Sequence, residues 1–242
     1  MKLLHIFVPL VAGHSWLECT DYRIQTSADA ETWDKALCHG YARCGSKQAK
    51  VAFGKDTGFD HNYPKNDDNA CQCAAGSSYD ANAPMAQYTP GQRVCLAYPA
   101  KNHVAETCTN EYIPDNGVRI FRTNKNPTND PELFKWPVEY QHLNGVHQDG
   151  QIDYKGFQNC PKFCDDPDKA LCTLCFDLEP NLASGLYSFH FEWHFNSGVD
   201  YYTSCWEAQV GEGGAPPRPP SPPDDASSTN ENSPPKCVPK NL

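Results

Sequence analysis

The clearest pattern in the chain is the stretch from Leu186 to Phe195, LYSFHFEWHF, where apolar and polar residues alternate from Tyr187 onwards. Phe189, Phe191, Trp193 and Phe195 fall on one side and His190, Glu192 and His194 on the other, a period of two that predicts a half-buried antiparallel strand. Asn196-Ser197-Gly198 and then VDYYTSCWEAQV follow, so strand, turn and strand read as a hairpin. Further β-like stretches run from Arg93 to Tyr98, from Gly117 to Arg122 and from Ile152 to Phe157. The helical signal is poor and confined to a short stretch near Ala30 to Leu37. Short strands separated by long Gly-, Asn-, Asp- and Pro-rich loops predict a mostly β chain, an antiparallel β-sandwich of the immunoglobulin-like or fibronectin-like kind.

The two ends do not share this pattern. Residues 1–13, MKLLHIFVPLVAG, carry one basic residue, a short apolar run and a small residue at the end, which predicts a secretory signal peptide cleaved after Gly13. No later stretch has the roughly 18 to 20 apolar residues of a membrane-spanning helix. After Val210 the composition shifts: residues 211–242 hold nine of the 21 prolines and no aromatic residue, the composition of a disordered tail or linker. One domain, 14–210, is expected between them, and 242 residues with 39% hydrophobic content suffice to give it a core.

Thirteen cysteines are spread along the chain, which places folding in an oxidising, extracellular compartment. Twelve precede the tail, enough for six bridges whose pairing stays open, and Cys237 is left over. Cys160-x3-Cys164 with Cys172-x2-Cys175 also has the spacing of a zinc knuckle, although disulfides suit a cysteine-dense secreted chain better. The net charge of −10 argues against nucleic acid or an anionic membrane as a partner, because both require a basic face. A monomer is expected, though Cys237 offers a way to link two chains.

Cleavage after Gly13 makes His14 the first residue, with two nitrogen ligands at once: its α-amine and its own imidazole. The α-amine has an ordinary pKa of about 7.7 to 8.0, so a metal displaces its proton near neutral pH far more easily than it would from lysine. With a second histidine the set becomes three nitrogens in a T, an arrangement that selects copper among first-row divalent ions. Read from the residues alone, an idle solvent-exposed His14 is an equal alternative.

The segment HSWLECTDY directly after a signal peptide resembles the mature start of the lytic polysaccharide monooxygenases, copper enzymes that begin with histidine. Among these it is most similar to the oomycete family proposed to cleave pectin, auxiliary activity family seventeen. The resemblance continues through GQRVCLAYPAKNHVAETC and NGVHQDGQIDYKGFQNCPKFC to FHFEWHFNSGVDYYTSCW and stops at the tail. It implies His103, after a mid-chain strand, as the second copper ligand, with His142 and His147 as rivals. It also implies an axial aromatic residue three positions before a cysteine, which Tyr202 supplies ahead of Cys205; a tyrosine filling the core is the competing reading. Glu192 and His194 are candidates for the polar group beside the copper, depending on hairpin register. A three-residue loop sets Glu192 opposite Tyr202, whereas a two- or four-residue loop sets Trp193 there. A solvated polar face for His190, Glu192 and His194 is the alternative.

The implied activity is copper-dependent oxidation of a sugar C–H, with O2 or H2O2 and an external electron donor, followed by elimination of the glycosidic bond. The implied substrate is pectin, as homogalacturonan. An acidic protein is repelled by polygalacturonate at long range, although a Debye length of about 8 Å leaves local cations such as Lys101 free to decide. Two other classes remain: a copper-binding protein without oxidation, and a metal-free, disulfide-rich carbohydrate-binding or effector domain.

Overall fold

The computed structural model describes residues 16–55, 61–63, 70–76, 79–99, 115–133, 135–143, 146–147, 151–152, 170–195 and 200–211. Ten strands lie within them: β1 (His61–Tyr63), β2 (Ala86–Tyr88), β3 (Arg93–Pro99), β4 (Asp115–Arg122), β5 (Val138–Leu143), β6 (Val146–His147), β7 (Gln151–Ile152), β8 (Leu171–Asp177), β9 (Gly185–Phe195) and β10 (Asp200–Val210). The larger sheet has the order β1-β10-β9-β4-β5, with β2 paired in parallel to the far end of β10. Its other pairings are antiparallel. β3 and β8 form a second sheet, and β6 and β7 a small ribbon.

The expected antiparallel sandwich is present, with the main core between these two sheets. Alternate positions of β9 and β10 (Tyr187, Phe189, Phe191 and Trp193; Tyr202, Trp206, Ala208 and Val210) meet Val94, Leu96 and Tyr98 of β3 and Leu174 and Phe176 of β8. Phe176 contacts Phe189 at a ring-centroid distance of 6.2 Å, and Tyr98 contacts Phe191 at 5.9 Å. Aromatic rings bury large areas and prefer these offset and tilted arrangements.

The central strand departs from expectation. Its polar face is not solvated: His190 and Glu192 are both buried. That face of the large sheet is covered by a second cluster of Ala70, Phe121, Leu133, Trp136 and Cys205, and His190 lies 5.0 Å from the Trp136 ring and 5.9 Å from Phe121. The outer face of the smaller sheet is covered likewise. Cys19, Tyr22, Ala97 and Leu171 pack there with Trp33, Leu37 and Phe53. Alternation therefore marks a strand buried on both sides, with different chemistry on each.

The stretch near Ala30 to Leu37 is not an α-helix but the end of one 3-10 turn, Ser27–Ala30, and a second, Lys35–Leu37. Asp29 accepts from the Gln25 and Thr26 amides, and Asp34 accepts from Ala36. Each aspartate caps its own short turn, and two starts in so few residues leave no room for a longer helix. Strand β8 lies in a segment that the sequence presents as a cysteine motif. The expected strand from Ile152 to Phe157 is described only at Gln151–Ile152, where it belongs to the ribbon.

Four disulfides join described cysteines: Cys19–Cys38, Cys44–Cys73, Cys71–Cys205 and Cys95–Cys175. Cys172 is also disulfide-bonded. Neither cysteine of the Cys172-x2-Cys175 pair is thus a free thiolate, so the zinc-knuckle reading fails there. Cys160, Cys164, Cys237, residues 1–13 expected as a signal peptide and the Pro-rich residues 212–242 lie outside the described residues, and no helix among the described residues is long and apolar enough to cross a membrane.

Candidate functional site

Four chain segments meet at one end of the sandwich. The N-terminal segment runs antiparallel to β3, with the Glu18 and Cys19 amides donating to the Ala97 carbonyl at 2.9 and 3.1 Å and Tyr22 N–H donating to the Cys95 carbonyl at 2.8 Å. Followed backwards from Tyr22, it therefore travels towards Pro99. β9 travels the same way, since Phe189 packs on Phe176 and Phe191 on Tyr98. The start of β10 is there too: Leu17 N–H donates to Ser204 Oγ at 3.2 Å across 187 residues of sequence. Trp16, the end of β3, the end of β9 and Tyr202 consequently share one rim.

Tyr202 is buried there, its ring 5.6 Å from that of Trp193. The hairpin register explains the contact. Phe195 pairs with Asp200 and Trp193 with Tyr202, so four residues, 196–199, connect the strands. Of the loop lengths considered from the sequence, the four-residue one is present, with Trp193 opposite Tyr202. Glu192 pairs with Thr203 and His194 with Tyr201. Directly opposed residues share a face, so Glu192 and His194 occupy positions on the face opposite to Tyr202. The Glu192 carboxylate instead lies 3.9 Å from Arg119, which makes two hydrogen bonds of 3.0 and 2.8 Å to Glu139.

His14 and His103 lie outside the described residues, and so do Lys101 and the side chains of His142, His147 and His194. Among the described residues, no group of three or more His, Cys, Asp or Glu side chains is arranged to hold a metal ion. Tyr202 is thus the one member of the candidate ligand set with a defined place. As a donor set, an α-amine, two imidazoles and a phenol would suit copper better than the harder divalent ions.

Several residues that sequence reasoning missed hold this rim in place. Glu18 is buried, and its Oε1 accepts from the Trp16 indole at 3.2 Å, the Gln48 amide at 2.7 Å and the Gly54 backbone at 3.0 Å. Burial raises its pKa above the ordinary carboxylate value, against the lowering effect of these three donors. Below it, Arg43 is also buried. It forks onto Asp130 at 2.5 and 2.7 Å and reaches Glu207 at 2.6 Å, while Tyr79 donates to the other Glu207 oxygen at 2.6 Å. No spacing rule would have found these partners, because all but Trp16 are distant in sequence.

No protein-family model matches the chain, and no curated protein matches it. Solved structures are similar at low identity. A CBM33 protein of Bacillus amyloliquefaciens in complex with Cu(I) is 10% identical, with a TM-score of 0.33, over 55% of this chain and 59% of that one. An AA10 lytic polysaccharide monooxygenase from Streptomyces lividans is 13% identical, with a TM-score of 0.31, over 52% and 59%. A chitin-binding domain from Burkholderia pseudomallei is 10% identical, with a TM-score of 0.40, over 70% and 95%. The chain thus spans less than two thirds of the first two. Likenesses at this level leave the functional reading to the residues themselves.

Proposed function

We propose that this protein is a secreted, copper-dependent polysaccharide monooxygenase of the pectin-active kind, with its copper held at this rim by His14, His103 and Tyr202. One observation carries the reading: the N-terminal segment, the end of β3 and the start of β10 meet around Tyr202. His14 stands two residues before Trp16 and His103 four after Pro99, at most about 7 and 14 Å of extended chain. Both stand close in sequence to segments that end at this rim.

Copper, when bound, supplies the one-electron chemistry that protein side chains lack. The chain's own part is positional. His14 offers its α-amine and imidazole, His103 a third nitrogen, and Tyr202 closes one side with a ring already fixed against Trp193. Glu18 and Ser204 pin the segment that carries His14, which limits the freedom of the chelate before any metal arrives. Glu192 has no part at the metal in this reading, since its strand position faces the other layer. Polysaccharide and an external electron donor are the partners, and pectin follows from the sequence resemblance.

The test is copper-loaded mature protein with ascorbate on pectin, cellulose and chitin. Oxidised oligosaccharides from pectin are expected. Their absence from all three substrates would remove the enzymatic reading and leave copper binding without oxidation.

A further inference from the structure

The outer edge of β10 is paired in two separate places, with β1 at residues 201–203 and with β2 at 208–210. Between them the edge is bridged locally, by Arg43 N–H to the Cys205 carbonyl at 2.9 Å, Glu207 N–H to the Tyr79 hydroxyl at 2.8 Å and Leu17 N–H to Ser204 Oγ at 3.2 Å. A small cavity sits in this gap, with Trp16 and Leu17 on one side, Arg43 and Gln48 below, and Thr203 and Ser204 on the strand. It leaves about 20 Å³ for the centre of a water-sized molecule. Roughly 10–15 Å³ of such space is enough for one water, provided polar partners are present.

Two of its lining residues carry such groups. Arg43 Nε–H and the Thr203 hydroxyl are both buried, and neither has a hydrogen-bond partner among the described residues. Buried donors and hydroxyls are almost always satisfied in folded proteins, by protein or by ordered water. We infer that this cavity is a binding site for one small, neutral hydrogen-bonding molecule, water, held between Arg43 Nε–H as donor and the Thr203 hydroxyl.

Charge selects the class of ligand. The Arg43 guanidinium already faces two carboxylates, Asp130 and Glu207, so an added anion meets excess negative charge. A cation is disfavoured beside the positive charge of the Arg43 guanidinium. Water can accept from Arg43 and both donate to and accept from Thr203, which satisfies each group at once. It also fills the seam beneath Trp16 and Leu17, so the seat of the N-terminal segment is part protein and part solvent. This holds whether or not copper binds at the rim.

A crystal structure of the copper-free protein, at a resolution that shows ordered solvent, tests the site together with oxygen-17 magnetic relaxation dispersion on the wild type, Thr203→Val and Thr203→Ser. The expected result is a single density peak within hydrogen-bonding distance of both Arg43 Nε and Thr203 Oγ1. One long-lived water should be lost from Thr203→Val and kept in Thr203→Ser. A cavity without density, a peak touching neither group, or an unchanged count of long-lived waters in a folded Thr203→Val protein overturns the inference. If Thr203→Val does not fold, the wild-type crystal decides.

Discussion

Tyr202 and Glu192 stand on neighbouring strands, one position apart in register, yet on opposite faces of the sheet, and this parity separates the candidate chemistry into two sets. Substitutions should separate in the same way. His103→Ala is expected to weaken Cu(II) binding at least a hundredfold, with the thermal stability of the metal-free protein unchanged. Glu192→Gln is expected to leave copper affinity and the paramagnetic resonance parameters unchanged and to lower stability modestly through Arg119. Isothermal titration and resonance spectra on both variants check this, and a copper effect from Glu192→Gln would contradict the register argument. Arg43 allows a second prediction. Removing it leaves Glu207 and Asp130 without their cation in a buried site, so Arg43→Ala should cost about 3–5 kcal/mol in denaturant unfolding.

At the scale of elements, the two sheets are also tied by polar contacts. Arg122 on β4 donates to the Tyr140 hydroxyl of β5 at 2.6 Å and pairs with Glu179 just beyond β8, and Tyr140 donates to Glu179 at 2.6 Å. Partial burial pushes the Glu179 carboxyl up, but the hydrogen bonds from Arg122 and Tyr140 outweigh it and hold its pKa below the usual value of 4.5. A depressed carboxylate contributes stability above its unfolded pKa and loses it as pH falls through the folded one. Stability should therefore drop on acidification below pH 4.5, and Glu179→Gln should flatten that part of the curve; chemical unfolding at several pH values shows whether it does.

Much of the element pattern was legible. β3, β4, β9 and β10 follow from alternation and β-branched or aromatic content. Alternation could not say that the His190–Glu192 face is buried, because cover comes from Leu133, Trp136 and Ala70, far away in sequence. Nor could it choose among turn lengths, and so the side on which Glu192 falls depended on a register that one residue reverses. Tyr202 was singled out by the resemblance and its spacing to Cys205, and it lies buried at the rim, although its role at a metal is a proposal. Glu18, Ser204 and Arg43 were not singled out, since their roles exist only once distant segments meet.

In the molecule as a whole, covalent links secure what the sheets assemble. Cys71–Cys205 spans 134 residues and fixes β10 just beyond Tyr202 to the segment covering the outer face. Replacing both cysteines by alanine should cost about 2–5 kcal/mol and lower the midpoint of thermal unfolding. With both outer faces covered, the rim where Trp16, Pro99 and Tyr202 come together is where the N-terminal segment reaches the strand ends, and there the copper claim stands or falls. The most direct measurement is paramagnetic resonance of one equivalent of Cu(II) on protein that begins at His14, beside the same protein retaining Gly13. A type-2 signal with coupling to three nitrogens is expected in the first and loss of that coupling pattern in the second, where the α-amine is an amide. No such signal from the His14 form, or the same signal from both, would contradict that claim.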